Sequence, residues 1–317
     1  MRKWILVIMT ILLAIMSVFV GVENVPLSDA LHLTKEQVDI LMISRFPRTV
    51  SIIIAGAGMS ICGLIMQQLT RNRFVSPTTA GTLDAARLGV LVAIMVFPQA
   101  TTLTKMLVAF VFSVAGTFIF IQLLNRIKFK DTIFIPLVGL MFGSIISSIT
   151  TFFAYKNNLV QNINAWLQGD FSAVLRGRYE MLYITIPLFL IAYIYANRFT
   201  VVGMGESFAV NLGLNYKVIV AIGLTLVALM TSSVILTVGT IPFLGLIVPN
   251  IISIYSGDNL RQTLPLTALF GASFVLACDI LGRLIIFPYE ISISLMVGVI
   301  GSGIFIILLL RREKYAA

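Results

Sequence analysis

Apolar residues in this chain come in long runs separated by short polar stretches. The runs cover residues 4–22, 49–69, 84–98, 104–124, 132–154, 181–197, 217–237, 240–255, 263–285 and 292–310. Most approach the roughly 20 residues that a helix needs to cross a hydrocarbon layer about 30 Å thick. The pattern predicts an all-α membrane bundle of about ten transmembrane helices, with residues 1–317 forming a single transmembrane domain. The third and eighth runs are shorter. The third follows Ser76-Pro77-Thr78-Thr79-Ala80-Gly81, and the eighth carries Gly239, Pro242, Gly245 and Pro249. Interrupted helices persist in a bilayer only where protein or a water-filled cavity satisfies the freed backbone groups. These two runs are therefore candidates for lining a pathway, with kinked packing as the alternative.

Composition excludes a soluble protein. Hydrophobic residues make up 59% of the chain, charged residues 11%, and the mean hydropathy is +1.03. Soluble domains carry about 45–50% apolar and about 25% charged residues. The formal net charge of +9 is spread over short loops, with no basic stripe along one helix, so it predicts membrane orientation and no nucleic-acid partner. With the N-terminus inside, 13 Lys and Arg fall on the inner side and 8 on the outer, with Arg87 assigned to the inner end of the third run. This bias puts both termini in the cytoplasm and requires an even number of spans. Met1-Arg2-Lys3 followed by Trp4 to Val22 resembles a signal peptide, but its apolar run exceeds the usual length of about 7–15 residues. It reads as an uncleaved first span.

Three loops carry local signals. In the outer loop after the first run, Pro26-Leu27-Ser28-Asp29 could start a short surface helix. In the outer loop after the fifth run, Trp166 is expected as an interfacial anchor. The inner loop from Gly203 to Leu214 sets Phe208, Ala209 and Leu212 at helical spacing, with Gly213 as a stop. This short amphipathic helix either lies on lipid or presents a knob to a partner protein. Its small apolar face and lack of Lys or Arg favour the partner.

Catalytic chemistry is missing. None of the eight lysines follows a glycine, so there is no phosphate-binding loop, and no HExxH or GxSxG motif occurs. Cys62 and Cys278 lie in apolar runs and His32 in a polar loop, none at metal-ligand spacing. No metal or cofactor is predicted. Paired carboxylates within a span, the mark of proton-coupled pumps, are not evident. Asp279 and Arg283 are four apart near a span end, in the favourable order for a helix ion pair. The chain is expected to be a non-enzymatic transport subunit whose driving force comes from another subunit.

An ordered set of motifs runs along nearly the whole chain. Arg45-Phe46-Pro47-Arg48 opens the second span. Gly56, Gly63, Gln67, Arg71, Asn72, Pro77 and Gly81 follow. Trp166, Gly169 and Ser172 form an outer element; Gly205-Glu206, Ala209, Leu212 and Gly213 an inner one. Gly239, Ile241, Phe243-Leu244-Gly245-Leu246 and Pro249 come next, and Glu290, Gly301 and Phe305 mark the last span. As a set these resemble the permease subunits of the ABC importers for iron–siderophore complexes and vitamin B12. The stretch RNRFVSPTTAGTLD is most similar to the Gram-positive permeases for catecholate-type siderophores. The sequence departs from the family at Arg73, Ser292 and Gly303, where Pro is usual, and at Asn250, where His is usual.

The resemblance implies a multi-pass protein of the bacterial plasma membrane that carries a ferric siderophore. Its implied partners are ATPase subunits, an extracellular lipid-anchored siderophore-binding protein and a second permease subunit, either a copy or a paralogue. Gly205, Glu206, Phe208, Ala209, Leu212 and Gly213 would form the coupling helix, with Glu206 as polar contact and Phe208 or Leu212 as apolar anchor. Arg45, Arg48 and Arg283 would receive acidic residues of the binding protein, with interfacial snorkelling as the alternative for Arg45 and Arg48 and the Asp279 pairing counting against Arg283. Pathway or gate candidates are Pro77, Gly81, Ser144, Ser147, Gly245, Pro249 and Asn250. The walls are expected to be smooth, because a channel that held its cargo tightly would not release it; serines such as Ser144, Ser147 and Ser148 serve interhelical packing equally well. Haem or cobalamin remain alternative cargos, and an ion-coupled secondary transporter is the alternative class.

Overall fold

The computed structural model describes residues 3–21, 34–126 and 134–316. His32, the segment Pro26–Asp29 and the basic residues Lys128 and Lys130 lie outside the described residues. The apolar runs become helices in chain order: α1 (Lys3–Phe19), α2 (Lys35–Ile40), α3 (Phe46–Thr70), α4 (Thr82–Val96), α5 (Thr102–Arg126), α6 (Phe134–Lys156), α7 (Val160–Leu167), α8 (Thr185–Gly203), α9 (Glu206–Asn211), α10 (Tyr216–Val238), α11 (Leu244–Ser256), α12 (Leu260–Leu284) and α13 (Ile293–Ala316). Among the described residues the extended backbone amounts to one isolated parallel bridge, between Gln168 and Thr240. The fold is all-α.

Among the described residues six helical stretches are long and apolar enough to cross a membrane: Lys35–Thr70, Thr102–Leu124, Ile135–Lys156, Glu180–Gly203, Tyr216–Val238 and Leu260–Leu284. Lys3–Phe19, Leu244–Ser256 and Ile293–Leu308 are shorter apolar helices. The predicted helix positions recur, while six stretches meet the length of a full crossing.

Local chemistry sets the boundaries. Thr34 and Gln37 close a capping box at the start of α2, which a π-turn over Leu41–Arg45 joins to α3. Pro47 stands in the first turn of α3, where its missing N–H costs nothing. Asn215 and Asn259 cap α10 and α12 through their side-chain oxygens.

The core is built around α3, of which 18 residues are buried. Gly56, Ser60 and Gly63 form a stripe of small residues along one side of it. A Cβ on Gly56 would lie 2.8 Å from the Gly271 carbonyl of α12, and one on Gly63 would overlap the Gly245 carbonyl of α11. Lipid supplies no hydrophobic drive between helices, so such close backbone approach and its dispersion energy hold them together. The outer helices behave oppositely. Ile8, Leu12 and Ile15 of α1, Ile145 and Phe152 of α6, and Leu190 and Ile194 of α8 are exposed, as lipid-facing side chains must be.

α10 runs 23 residues, about 34 Å, between the two ends of the bundle. One end holds α9. At the other, residues 167–170, 238–240 and 294 are knitted together. Asp170 N donates to Val238 O (2.9 Å), Thr240 N to Leu167 O (2.9 Å), and Ser294 N and Oγ to Gly169 O. Non-helical backbone inside a bilayer needs this internal satisfaction.

The same end carries a charge cluster. Arg48 Nη2 donates to Asp279 Oδ1 at 2.8 Å and Nη1 to Glu290 at 2.8 Å; Arg283 Nη2 reaches Asp279 Oδ2 at 2.6 Å. Arg283 also donates to Ser17 O and Val20 O, and Arg45 to Val18 O and Phe19 O, so both guanidinium groups cap the C-terminus of α1. The cluster ties α1, α3 and α12 to the 285–292 turn.

Three substitutions test this packing. Gly63→Ala should destabilise the bundle by about 1–3 kcal/mol through overpacking, read as a lower midpoint of thermal unfolding in detergent. Asp279→Asn should cost roughly 3–5 kcal/mol, because it strips a buried carboxylate from two arginines. Glu290→Gln, at a half-exposed site, should cost about 1 kcal/mol or less; equal losses for the two variants would contradict the buried clamp.

Candidate functional site

The α9 end is the first candidate. Gly205, at φ +122°, turns the chain out of α8, and α9 ends in a Schellman arrangement: Gly213 N donates to Val210 O (2.9 Å) and Leu214 N to Ala209 O (3.0 Å). Gly213 supplies the left-handed residue at φ +77°. Ala209 is fully buried against the bundle, whereas Met204, Phe208, Val210 and Leu212 are 47–58% exposed. The shared face expected for Phe208, Ala209 and Leu212 therefore splits. Ala209 is the packing contact, fully buried in the cluster that holds Phe199 and Val202 of α8. Phe208 and Leu212 stand outward with Val210 as an apolar knob. Glu206 is half-buried in the first turn.

Beside α9 lies a cavity of about 580 Å³ lined by Gln67, Gln68, Arg71, Arg73, Pro249 and Asp258, among others. Arg73 pairs with Asp258 at 2.8 Å. Asn250 Nδ2 donates to the Arg73 carbonyl at 2.8 Å and to Leu246 O at 2.7 Å. Two of the positions where the sequence departs from the family pattern are thus direct partners. Gln67 Nε2 donates to the carbonyls of Gly245 and Leu246; the first of these is the acceptor that Pro249, lacking an N–H, leaves without its helical donor.

The remaining pathway candidates separate. Pro77 and Gly245 are buried against each other, so neither faces an open route here; a Cβ on Gly245 would lie 2.6 Å from Pro77 Cδ. Gly81, at φ +71°, faces the Phe142 ring. Ser144 is exposed and Ser147 half-buried on α6, apart from this group; Ser144 Oγ donates back to Leu140 O at 2.8 Å. Trp166 is half-buried and its indole N–H donates to Leu236 O at 3.4 Å, so it packs on α10.

The three docking arginines are engaged within the chain. Arg45 and Arg283 are 7% and 4% exposed, and the Arg48 side chain 12% exposed. Their charges are spent on α1 carbonyls, Asp279 and Glu290. Arg176 and Arg178 are by contrast exposed, in the loop that also donates Arg176 N to Ile43 O at 3.0 Å.

Sequence reasoning missed Arg87. It does not sit at the α9 end. Arg87 Nη2 donates to Asn164 Oδ1 of α7 at 2.8 Å, on the opposite half of the bundle. Both line a cavity of about 530 Å³ together with Asp84, Gln168, Thr240, Ser292 and Ser294. The available signal was an acid and a base three apart inside an apolar run.

Comparison with known proteins agrees with this architecture. The FecCD transport family model matches residues 8–311. The petrobactin import system permease protein YclN of Bacillus subtilis is 65% identical, with 98% of each chain covered. The ferric-anguibactin transport system permease protein FatD of Vibrio anguillarum is 43% identical over 86% of this chain and 87% of that one. A solved inward-facing structure of a metal-chelate type ABC transporter matches in fold with a TM-score of 0.83 at 22% identity, covering 97% of this chain and 98% of that one. The chain therefore belongs to the FecCD transport family.

Proposed function

We propose that this chain is the membrane-spanning permease subunit of an ABC importer that moves a ferric siderophore, of catecholate type, into the cytoplasm. The observation that carries the reading is the 65% identity, end to end, with a petrobactin import permease. The cargo class follows from that likeness, and the siderophore reading outweighs haem, cobalamin or an ion-coupled carrier. The chain would cross the bacterial plasma membrane ten times, with both termini and α9 cytoplasmic. ATP hydrolysis would occur on separate subunits.

Geometry supports a division of labour along the bundle. The outward knob of Phe208, Val210 and Leu212 suits a groove in an ATPase subunit, and Ala209 ties the knob to α8 so that a push on it moves a packed body. At the opposite end, a lipid-anchored binding protein would deliver the chelate. The internally engaged Arg45, Arg48 and Arg283 make poor docking charges, while the exposed Arg176 and Arg178 suit charge-assisted pairing with acidic residues. A second permease chain would complete the route.

Phe208→Asp with Leu212→Asp should leave the bundle folded, since both side chains are exposed, yet cut uptake of ⁵⁵Fe-labelled ferric petrobactin by about tenfold or more and release the ATPase on purification. Unchanged uptake with the ATPase still bound would rule out α9 as the coupling element.

A further inference from the structure

The cavity around Arg87 lies at a depth where charge is expensive. Arg87 is nine residues before the end of α4 at Val96, roughly 13 Å inside it at 1.5 Å per residue. Below it, the Thr82 carbonyl accepts from Ser113 Oγ at 3.0 Å, near the middle of α5, and Ser113 meets Ser232 of α10 at 2.6 Å. Arg87 thus stands between mid-bundle and the α7 end. An ionisable side chain there costs several kcal/mol unless it faces protein or water, and it marks a substrate route.

Its surroundings are built for exposure to something polar. Asn164 and Gln168 are exposed, and Arg87, Asp84, Ser292 and Ser294 are half-buried on the cavity wall. Leu83, Leu167 and Leu295 complete the wall, but its charged and amide groups are costly against hydrocarbon. On the permease reading above, these groups would open on a water-filled space that a second permease chain would close. Arg87 spends one N–H on Asn164, and its other donors have no protein acceptor among the described residues. Asp84 sits one turn earlier on the same face, against Gly143 of α6, where a Cβ would collide with the carboxylate. Gly143 makes room for that acid.

We infer that Arg87, with Asn164 and Gln168, forms a transient station for the anionic face of a ferric chelate partway along the route. The inference rests on the siderophore-permease reading above and adds a binding site to it. Iron(III) held by doubly ionised oxygen donors is an anion rich in acceptor oxygens, and a guanidinium offers it planar paired donors. Asn164 holds the fork in place when empty and adds an amide donor when the chelate arrives. Asp84 keeps the grip weak, because its own charge opposes the cargo's. A station that bound tightly would stall transport.

The test uses the complete importer in lipid vesicles, with permease pair, ATPase and binding protein, and ⁵⁵Fe-labelled ferric petrobactin as probe. Arg87→Gln should lower the maximal uptake rate roughly tenfold or more, while ATP hydrolysis stimulated by the loaded binding protein stays within about twofold of wild type. Arg87→Lys should restore a substantial part of the uptake. Asp84→Asn should retain more labelled chelate on the permease after ATP hydrolysis and slow its release, an effect that a merely structural role would not produce. Wild-type uptake by Arg87→Gln would overturn the station and leave the permease function standing. Parallel loss of uptake and ATPase stimulation in Arg87→Gln and Arg87→Lys would also overturn it, marking a packing role. Absence of ferric petrobactin uptake by the wild-type importer would remove the functional reading and the station together.

Discussion

Close backbone contact along α3 is the constraint on which the rest of the bundle depends. Gly56 and Ser60 meet Gly271 of α12, and Gly63 meets Gly245 of α11. In water, burying apolar side chains would press these helices together. In lipid that term vanishes, and only dispersion and short polar contacts across a near-touching interface remain. The geometry also sets where α11 can begin. Its first turn is pinned between α3 and Pro77, so the preceding segment, 239–243, must leave helical geometry inside the membrane.

That departure creates an obligation. Each freed N–H and carbonyl needs a partner, since hydrocarbon offers none. The bonds among 167–170, 238–240 and Ser294 meet it at one level, and the side chains of Gln67 and Asn250 meet it around Pro249 at another. Buried charge follows the same logic. Arg48, Arg283, Asp279 and Glu290 neutralise one another, and Arg283 with Arg45 caps the end of α1, so their role within the chain is to fasten helix ends. A buried guanidinium whose terminal nitrogens are already paired has little left to offer a partner.

The two functional regions differ in what they expose. At the α9 end an apolar knob stands on a six-residue helix whose single inward methyl ties it to the bundle. In the opposite half, a polar cavity holds a cation and an anion one turn apart. The first arrangement suits force transmitted through protein contact. The second suits a charged, oxygen-rich cargo that must be held briefly. Weak holding and firm coupling are compatible because they sit on different elements, joined through α10.

Much was legible without coordinates because it depends on local rules. Among the described residues each apolar run contains a helix, six of the helical stretches reaching the length of a full crossing, because run length and helical spacing are properties of neighbouring residues. Gly205 and Gly213 likewise announced the limits of α9 through their backbone freedom. What the sequence could not decide was which side chain meets which across the bundle. Arg87 read as a charge at the inner end of the third run until the fold set it beside Asn164, 77 positions away. Arg45 and Arg283 looked like outward docking charges until α1 brought its terminal carbonyls to them. Phe208 and Ala209 shared a face on paper and parted in the structure, Ala209 packing under α8 and Phe208 standing outward. Sequence alone determined the membrane, the helices and the family. Tertiary structure decided which charges are spent inside the protein and which remain for a ligand, since that depends on contacts between residues far apart in the chain.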